Sequence, residues 1–197
     1  MSVFCLLWVP FFFLFRRTFT GGGGGGVWAL LLGSITAIFQ FFMGYYVKPG
    51  GFGFSRWLFG FIEIVSVPVL VPIVLYALLT FFRGFAGSAD FADFALLWLI
   101  PVGALRAIGW GSTNDVILLV SVPLLWTALA VGIPFFINWT ANNFRWYSVI
   151  ISFICILLLP LTAASAYWAF FSQQIWLGFL LFFVTQIPLG LSFVFER

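Results

Sequence analysis

The chain has 197 residues, of which 64% are hydrophobic and only 7% are charged. Soluble domains carry roughly 25% charged residues, so this composition excludes a globular domain with an ordinary water-facing surface. The net charge of +3 comes from basic residues scattered along the chain, which is not the pattern of a nucleic-acid-binding surface. We therefore predict a single integral membrane domain over residues 1–197, with the lipid bilayer as its partner and no nucleic acid.

Histidine is absent from the sequence, which contains two cysteines and five carboxylates. The commonest general base and the commonest metal ligand are thus missing, and haem held through histidine is excluded. Cys5 and Cys155 fall in apolar segments, where small buried side chains are their expected role. We predict no metal and no cofactor, and the composition favours a protein that is not an enzyme.

The N-terminal residues 1–15 are apolar and are followed by Arg16 and Arg17. A secretory signal places its positive charge before the apolar run and a small-residue cleavage site after it, and this segment has neither. We interpret it as a retained first membrane span. Because it is short and contains Pro10, a re-entrant or interfacial helix is the alternative. The six glycines of residues 21–26 predict a flexible connector.

The second predicted span covers residues 27–47. Small and polar residues recur there at three- and four-residue spacing, on one face of a helix: Ala29, Gly33, Ala37, Gln40 and Gly44. Small residues on one stripe let a neighbouring helix approach closely. We therefore predict that Gly33, Ala37 and Gly44 pack against another helix and not against lipid.

The third predicted span, residues 57–82, contains one carboxylate, Glu63, and two prolines one turn apart, Pro68 and Pro72. About 20 apolar residues cross about 30 Å of hydrocarbon, so this segment is long enough to span a bilayer. A charged group inside the hydrocarbon is costly, so the partner of Glu63 becomes the first question about function.

Four further apolar segments are predicted as spans, at residues 94–110, 116–139, 146–171 and 175–195. The polar, glycine-bearing residues 83–93 are predicted to form a connection. The sequence thus predicts an all-α, polytopic transmembrane helical bundle of about seven spans, with six spans plus a re-entrant N-terminal helix as the alternative.

Antiparallel threading brings four span ends to one side of the membrane. The end of the second span carries Gln40, and the start of the third carries Glu63. The end of the fourth carries Arg106, and Asp115 lies at the start of the fifth. Glu63 and Arg106 are the only charged residues predicted to lie clearly within spans, and their charges are opposite. The structural interpretation is a buried ion pair, which Asp115 can extend, or an Arg106 that snorkels to the interface.

The functional interpretation of the same four residues is a polar cavity that binds a solute or a lipid headgroup. Pro68 and Pro101 lie just deeper than the charged positions, and kinks there are expected to splay the helix ends. Such a pocket has an apolar base lined by Phe and Leu and few polar groups at its mouth. It suits a small amphipathic ligand.

The basic residues divide five against three between the two predicted sides of the membrane. This division favours a cell-membrane protein with its N-terminus outside and its C-terminus in the cytoplasm. We expect a non-enzymatic transport component or permease-like protein with a polar site near Glu63 and Arg106. The alternative is a non-catalytic structural or scaffold subunit of a membrane complex, which would bind partner membrane subunits.

Overall fold

The computed structural model describes residues 9–10, 12–13, 26–46, 54–83, 88–109, 116–143 and 145–195. Within these ranges the backbone is helical almost throughout and contains no strand, which confirms the predicted all-α class. Most of the predicted first span lies outside the described residues, so the choice between a spanning and a re-entrant N-terminus stays a prediction.

Besides the helical residues 9–10 and 12–13, the described structure contains seven α-helices and one π-helical stretch. The elements in chain order are α1 (Gly26–Tyr46), α2 (Phe54–Phe61), the π segment (Ile62–Leu70), α3 (Val71–Arg83), α4 (Ser88–Gly109), α5 (Val116–Asn142), α6 (Trp146–Phe171) and α7 (Ile175–Phe195). The element α2, the π segment and α3 follow one another without a break and together cover the predicted third span.

Three described helices are long and apolar enough to cross a membrane: Val120–Asn142 in α5, Trp146–Phe171 in α6 and Ile175–Ser192 in α7. Shorter apolar stretches lie in α1, in the π segment with α3, and in α4. Membrane association is therefore supported by length and composition, whereas the number of about seven spans stays a prediction.

Helices α4 and α5 each extend beyond the span predicted from the sequence. Helix α4 begins at Ser88, so the end of the predicted connection over residues 83–93 is helical. Carboxylates are favourable in the first turn of a helix, so Asp90, the third residue of α4, is compatible with this start. Helix α5 continues to Asn142 instead of ending at residue 139, and Thr140 donates a hydrogen bond to the Phe136 carbonyl in its last turns.

Helix α5 lies at the centre of the described bundle. It packs against α4 and the π segment on one side and against α6 and α7 on the other. Helix α1 packs mainly against α4, and α2 packs against α6. In the most apolar stretch of α5, 83% of the residues are buried, compared with 33% in α6 and 22% in α7.

Short connections make α5, α6 and α7 an antiparallel series. Between α5 and α6, the Ser148 hydroxyl accepts from the Arg145 backbone N–H, and the carbonyls of Asn143 and Arg145 both lie within hydrogen-bond distance of its single proton, which fixes the turn. Between α6 and α7, the N–H of Gln174 donates to the Ala169 carbonyl. The N–H of Gln173 donates to the Phe170 carbonyl, and Gln173 has a φ of 61°. This pair of bonds around a left-handed residue is the Schellman arrangement that ends many helices.

Candidate functional site

The π segment carries Glu63 at its second position and Pro68 near its centre. The N–H of Val71 donates to the Ser66 carbonyl, five residues earlier, as expected for π-helical geometry. Pro68 has no N–H, so it cannot donate to the Ile64 carbonyl four residues before it, as in an α-helix, or to the Glu63 carbonyl five residues before it, as in a π-helix. The irregular geometry thus coincides with a residue that cannot continue an ordinary helix.

Trp126 of α5 supplies a hydrogen-bond donor to the Ile64 carbonyl. Its indole Nε1 lies 2.8 Å from the Ile64 carbonyl oxygen and donates a hydrogen bond to it. Both Trp126 and Ile64 are fully buried. An unpaired buried carbonyl costs free energy comparable to a lost hydrogen bond, so this contact ties the π segment to the central helix.

The surroundings of this contact are apolar. Val65 and Val69 of the π segment are fully buried. Phe12, from the N-terminal part of the chain, is also fully buried, and its ring stacks on Trp126 with centroids 6.1 Å apart. Ile64 therefore lies in the interior of the bundle, whereas Ile62, on the other side of Glu63 in the sequence, is 47% exposed.

The other predicted polar residues are distributed over three elements. Gln40 belongs to α1 and Arg106 to α4, whereas Asp115 precedes the first residue of α5 and lies outside the described residues. The side chains of Gln40, Glu63 and Arg106 also lie outside the described part of the chain. An ion pair between Glu63 and Arg106 accordingly stays a prediction.

The small residues of α1 lie against a neighbouring helix where they are described. A Cβ added at Gly33 would be 2.8 Å from the Trp98 carbonyl oxygen and 3.0 Å from Cγ of Pro101, both in α4. Ala37 is buried, with 2% of its surface exposed. Gly44 lies in α1, but its surroundings are outside the described residues.

The sequence interpretation missed Asp93. It was assigned to a connection, yet it lies inside α4 and only 1% of its surface is exposed. Glu63 and Arg106 are therefore not the only charged residues within the helices. The signal was the run Ser88-Ala-Asp90-Phe-Ala-Asp93, in which two carboxylates lie three residues apart on one helical face, close to a helix start.

A cavity of about 310 Å³ opens on the surface of α5, α6 and α7. It is lined by apolar side chains and one serine: Ile117, Val120, Ser121, Leu124, Phe170, Phe179 and Phe182. It is built by other helices than those carrying Glu63 and Arg106, so the cavity predicted at those residues stays a prediction. Phe170, in the wall of the observed cavity, packs against Gly178, where an added Cβ would be 2.5 Å from the ring.

Among the described residues, no group of three or more cysteines and carboxylates is placed to hold a metal ion. The chain was also compared with known protein families, with curated proteins and with solved structures, and none of these comparisons gives a match.

Proposed function

We propose that this chain is a multi-pass integral membrane protein that acts as a non-enzymatic, permease-like transport component, with a polar site at Glu63. The observation that carries the proposal is the π segment, an irregular helix that contains Glu63 and Pro68 and whose residues Ile64, Val65 and Val69 are buried. π-helical turns are frequent at functional sites. In transporters, interrupted helices form the sites for substrates and coupling ions.

The proposed site draws on the four polar residues that antiparallel threading brings to one side. Gln40, Arg106 and Asp115 would complete it, with Arg106 balancing the charge of Glu63. Removing either member of a buried pair of this kind costs about 3–5 kcal/mol, because the other charge is left unpaired. In the proposed orientation the N-terminus is outside and the C-terminus is cytoplasmic, as the distribution of basic residues favours.

A flux assay on the full chain in sealed vesicles tests this function. Proton flux is followed with an entrapped pH-sensitive dye, and the assay is repeated with K⁺ and with a panel of small charged and zwitterionic solutes. We expect flux above that of protein-free vesicles for at least one solute, and a loss of at least about tenfold in Glu63→Gln. Glu63→Asp is the matched control, because it keeps the charge. Wild-type flux equal to that of empty vesicles, or equal flux in wild type and Glu63→Gln, would contradict the proposal.

The second candidate is a scaffold subunit, favoured by the exposed apolar faces of α6 and α7. Only 22% of the most apolar stretch of α7 is buried, so a large surface is open to lipid or to partner helices. Single-molecule photobleaching of the labelled chain in vesicles separates the two candidates. A fixed stoichiometry above one, together with absent flux, would favour the scaffold.

A further inference from the structure

The cavity between α5, α6 and α7 has the shape and chemistry of a site for one apolar chain. Its volume of about 310 Å³ lies at the lower end of the range for ligand pockets, which is about 300–1,000 Å³. Its walls are the rings of Phe170, Phe179 and Phe182 and the aliphatic side chains of α5. No charged residue lines it, so a charged headgroup has no partner inside.

The cavity opens towards the outside of the bundle. Val120 and Phe179, which line it, are 56% and 39% exposed, and they continue into the exposed apolar faces of α6 and α7. Lipid would cover such a surface favourably, because large contiguous exposed apolar patches are rare on soluble monomers. The natural source of a ligand is therefore the bilayer and not the aqueous phase.

Ser121 is the polar residue of the lining, and its hydroxyl differs from the other helical hydroxyls. The side chain is 6% exposed, and its Oγ has no hydrogen-bond partner among the described residues. Other described hydroxyls donate to a backbone carbonyl of the preceding turn: Ser34, Thr36, Thr127, Thr140, Thr162, Thr185 and Ser192. Ser121 lines the cavity, but its Oγ is buried and does not face it, so the proposed contact requires a rotation about χ1, which breaks no bond to a described residue.

The depth of Ser121 in a bilayer indicates which part of a lipid molecule would lie beside it. Helix α5 has 27 residues and is about 40 Å long at 1.5 Å per residue, close to the full thickness of a bilayer with its headgroups. The hydrocarbon core of about 30 Å then begins about 5 Å inside each end of the helix. Ser121 comes five residues after Val116, at a depth of about 8 Å, and its side chain tilts towards the helix N-terminus. This is the level at which the acyl chains of glycerolipids join their ester carbonyls.

We propose that this cavity binds one acyl chain of a membrane glycerolipid, with the lipid ester carbonyl accepting a hydrogen bond from the Ser121 hydroxyl. The site is separate from Glu63, and the proposal does not depend on the transport function. Phe170, Phe179 and Phe182 contact the upper part of the chain, and the headgroup stays at the interface beside the turn between α6 and α7.

Native mass spectrometry of the full chain tests the site with two phosphatidylcholines that have the same chains. One has ester linkages and the other has ether linkages, which lack the carbonyl. We expect the first bound ester lipid to be held about threefold to tenfold more tightly than the ether lipid, the range for one net hydrogen bond. Ser121→Ala should abolish this preference. Ser192→Ala is the matched control, because Ser192 is also buried and its hydroxyl is bonded to the Leu189 carbonyl.

A second pair of variants tests the cavity itself. Val120→Trp is expected to fill the opening and abolish tight binding of the first lipid, whereas Val194→Trp, at another exposed valine of the bundle, should leave it unchanged. A photoactivatable ester phosphatidylcholine in vesicles, used with the wild type alone, should label peptides that contain residues 117–124 and 179–182. Equal affinity for both lipids, an ester preference that survives in Ser121→Ala, or photolabelling spread evenly over α6 and α7 would overturn the proposal. A change of oligomeric state in Val120→Trp with unchanged lipid binding would also overturn it, because the occupant would then be a second copy of the chain.

Discussion

Helices α5 and α6 are nearly equal in length, with 27 and 26 residues, yet they occupy opposite environments. In the most apolar stretch of α5, 83% of the residues are buried, whereas 33% are buried in α6, although α6 is the more apolar helix. In a water-soluble fold the more apolar helix would be the more buried one. The reversed order is expected when lipid surrounds the bundle, because the hydrophobic effect then no longer drives apolar faces inward.

The central position of α5 is accompanied by close helix–helix contacts and by a hydrogen bond to a neighbouring element. Helix α5 presents Gly132 to Leu159 and Pro188, at 3.0 Å from an added Cβ, and it gives the Trp126 indole to the Ile64 carbonyl. The buried face of α6 contains many small residues, among them Ala163, Ala164 and Ala166, whereas its outer face carries Phe153, Leu157 and Leu158. In α6, small side chains are therefore frequent at the helix contacts, and large apolar side chains dominate the exposed face.

The largest difference is expected when one leucine is truncated in each helix. Leu129 lies at the middle of α5 and is fully buried, whereas Leu158 lies at the middle of α6 and is 52% exposed. Leu129→Ala should lower the free energy of unfolding by about 2–5 kcal/mol, because it leaves a cavity. Leu158→Ala should change it by about 0.5 kcal/mol or less. Unfolding of the detergent-solubilised full chain measures both, and equal losses would remove the distinction between the two regions.

A second prediction concerns the close contact between α1 and α4 at Gly33. Gly33→Leu should cost about 3 kcal/mol, because its Cβ meets the Trp98 backbone and has no room to move. Gly190→Leu in α7 is the matched control, since nothing lies within 4 Å of an added Cβ there. We expect a lower melting temperature in detergent solution for Gly33→Leu and little change for Gly190→Leu. The same melting temperature for Gly33→Leu and wild type would mean that this stripe faces lipid.

The contribution of the hydrogen bond between α5 and the π segment can be tested with a second substitution that compensates for its loss. Trp126→Phe keeps most of the ring but removes the donor to the Ile64 carbonyl, at an expected cost of about 1–3 kcal/mol. Pro68→Ala supplies a backbone N–H four residues after Ile64, so the double variant should lose less than the two single variants added together. Additive losses would show that the indole contributes through packing alone.

The smallest effect is expected at the turn between α6 and α7, where Gln173 has a φ of 61°. A left-handed conformation costs a residue with a side chain roughly 1–2 kcal/mol, and glycine adopts it freely at a greater entropic cost on folding. Gln173→Gly should therefore raise the free energy of unfolding by up to about 1 kcal/mol. Gln174→Gly, at the next position, is the control and should not raise it.

Much of the helical framework was predictable from the sequence. Runs of apolar residues bounded by glycine, proline and polar clusters gave α1, α6 and α7 to within a residue. The start of α4 was missed, because Ser88, Asp90 and Asp93 indicate a loop by composition, although carboxylates are favourable near a helix N-terminus. The burial of Asp93 depends on the helices packed around it, which the local sequence does not encode.

The candidate site was predictable in part. Glu63 and Pro68 were recognised as unusual, but the hydrogen bond between the π segment and α5 could not be foreseen, because its donor, Trp126, lies 62 residues further along the chain than Ile64. The cavity predicted at Glu63 and Arg106 stays a prediction, whereas the cavity of α5, α6 and α7 was not predicted from the sequence. Its position depends on how Phe170 seats against Gly178, a contact between two helices that neither local pattern reveals.

A membrane location for this bundle requires that the outer face of α6 lies in lipid. Phe153, Leu157 and Leu161 are exposed and follow one another at four-residue spacing along that face. Spin labels at these positions, in a background with Cys5→Ser and Cys155→Ser, report collisions with oxygen, which concentrates in lipid, and with a water-soluble nickel chelate. We predict high oxygen and low nickel access at all three positions, with the greatest contrast at Leu157. High nickel access along the whole face would contradict the account, because that face would then lie in water.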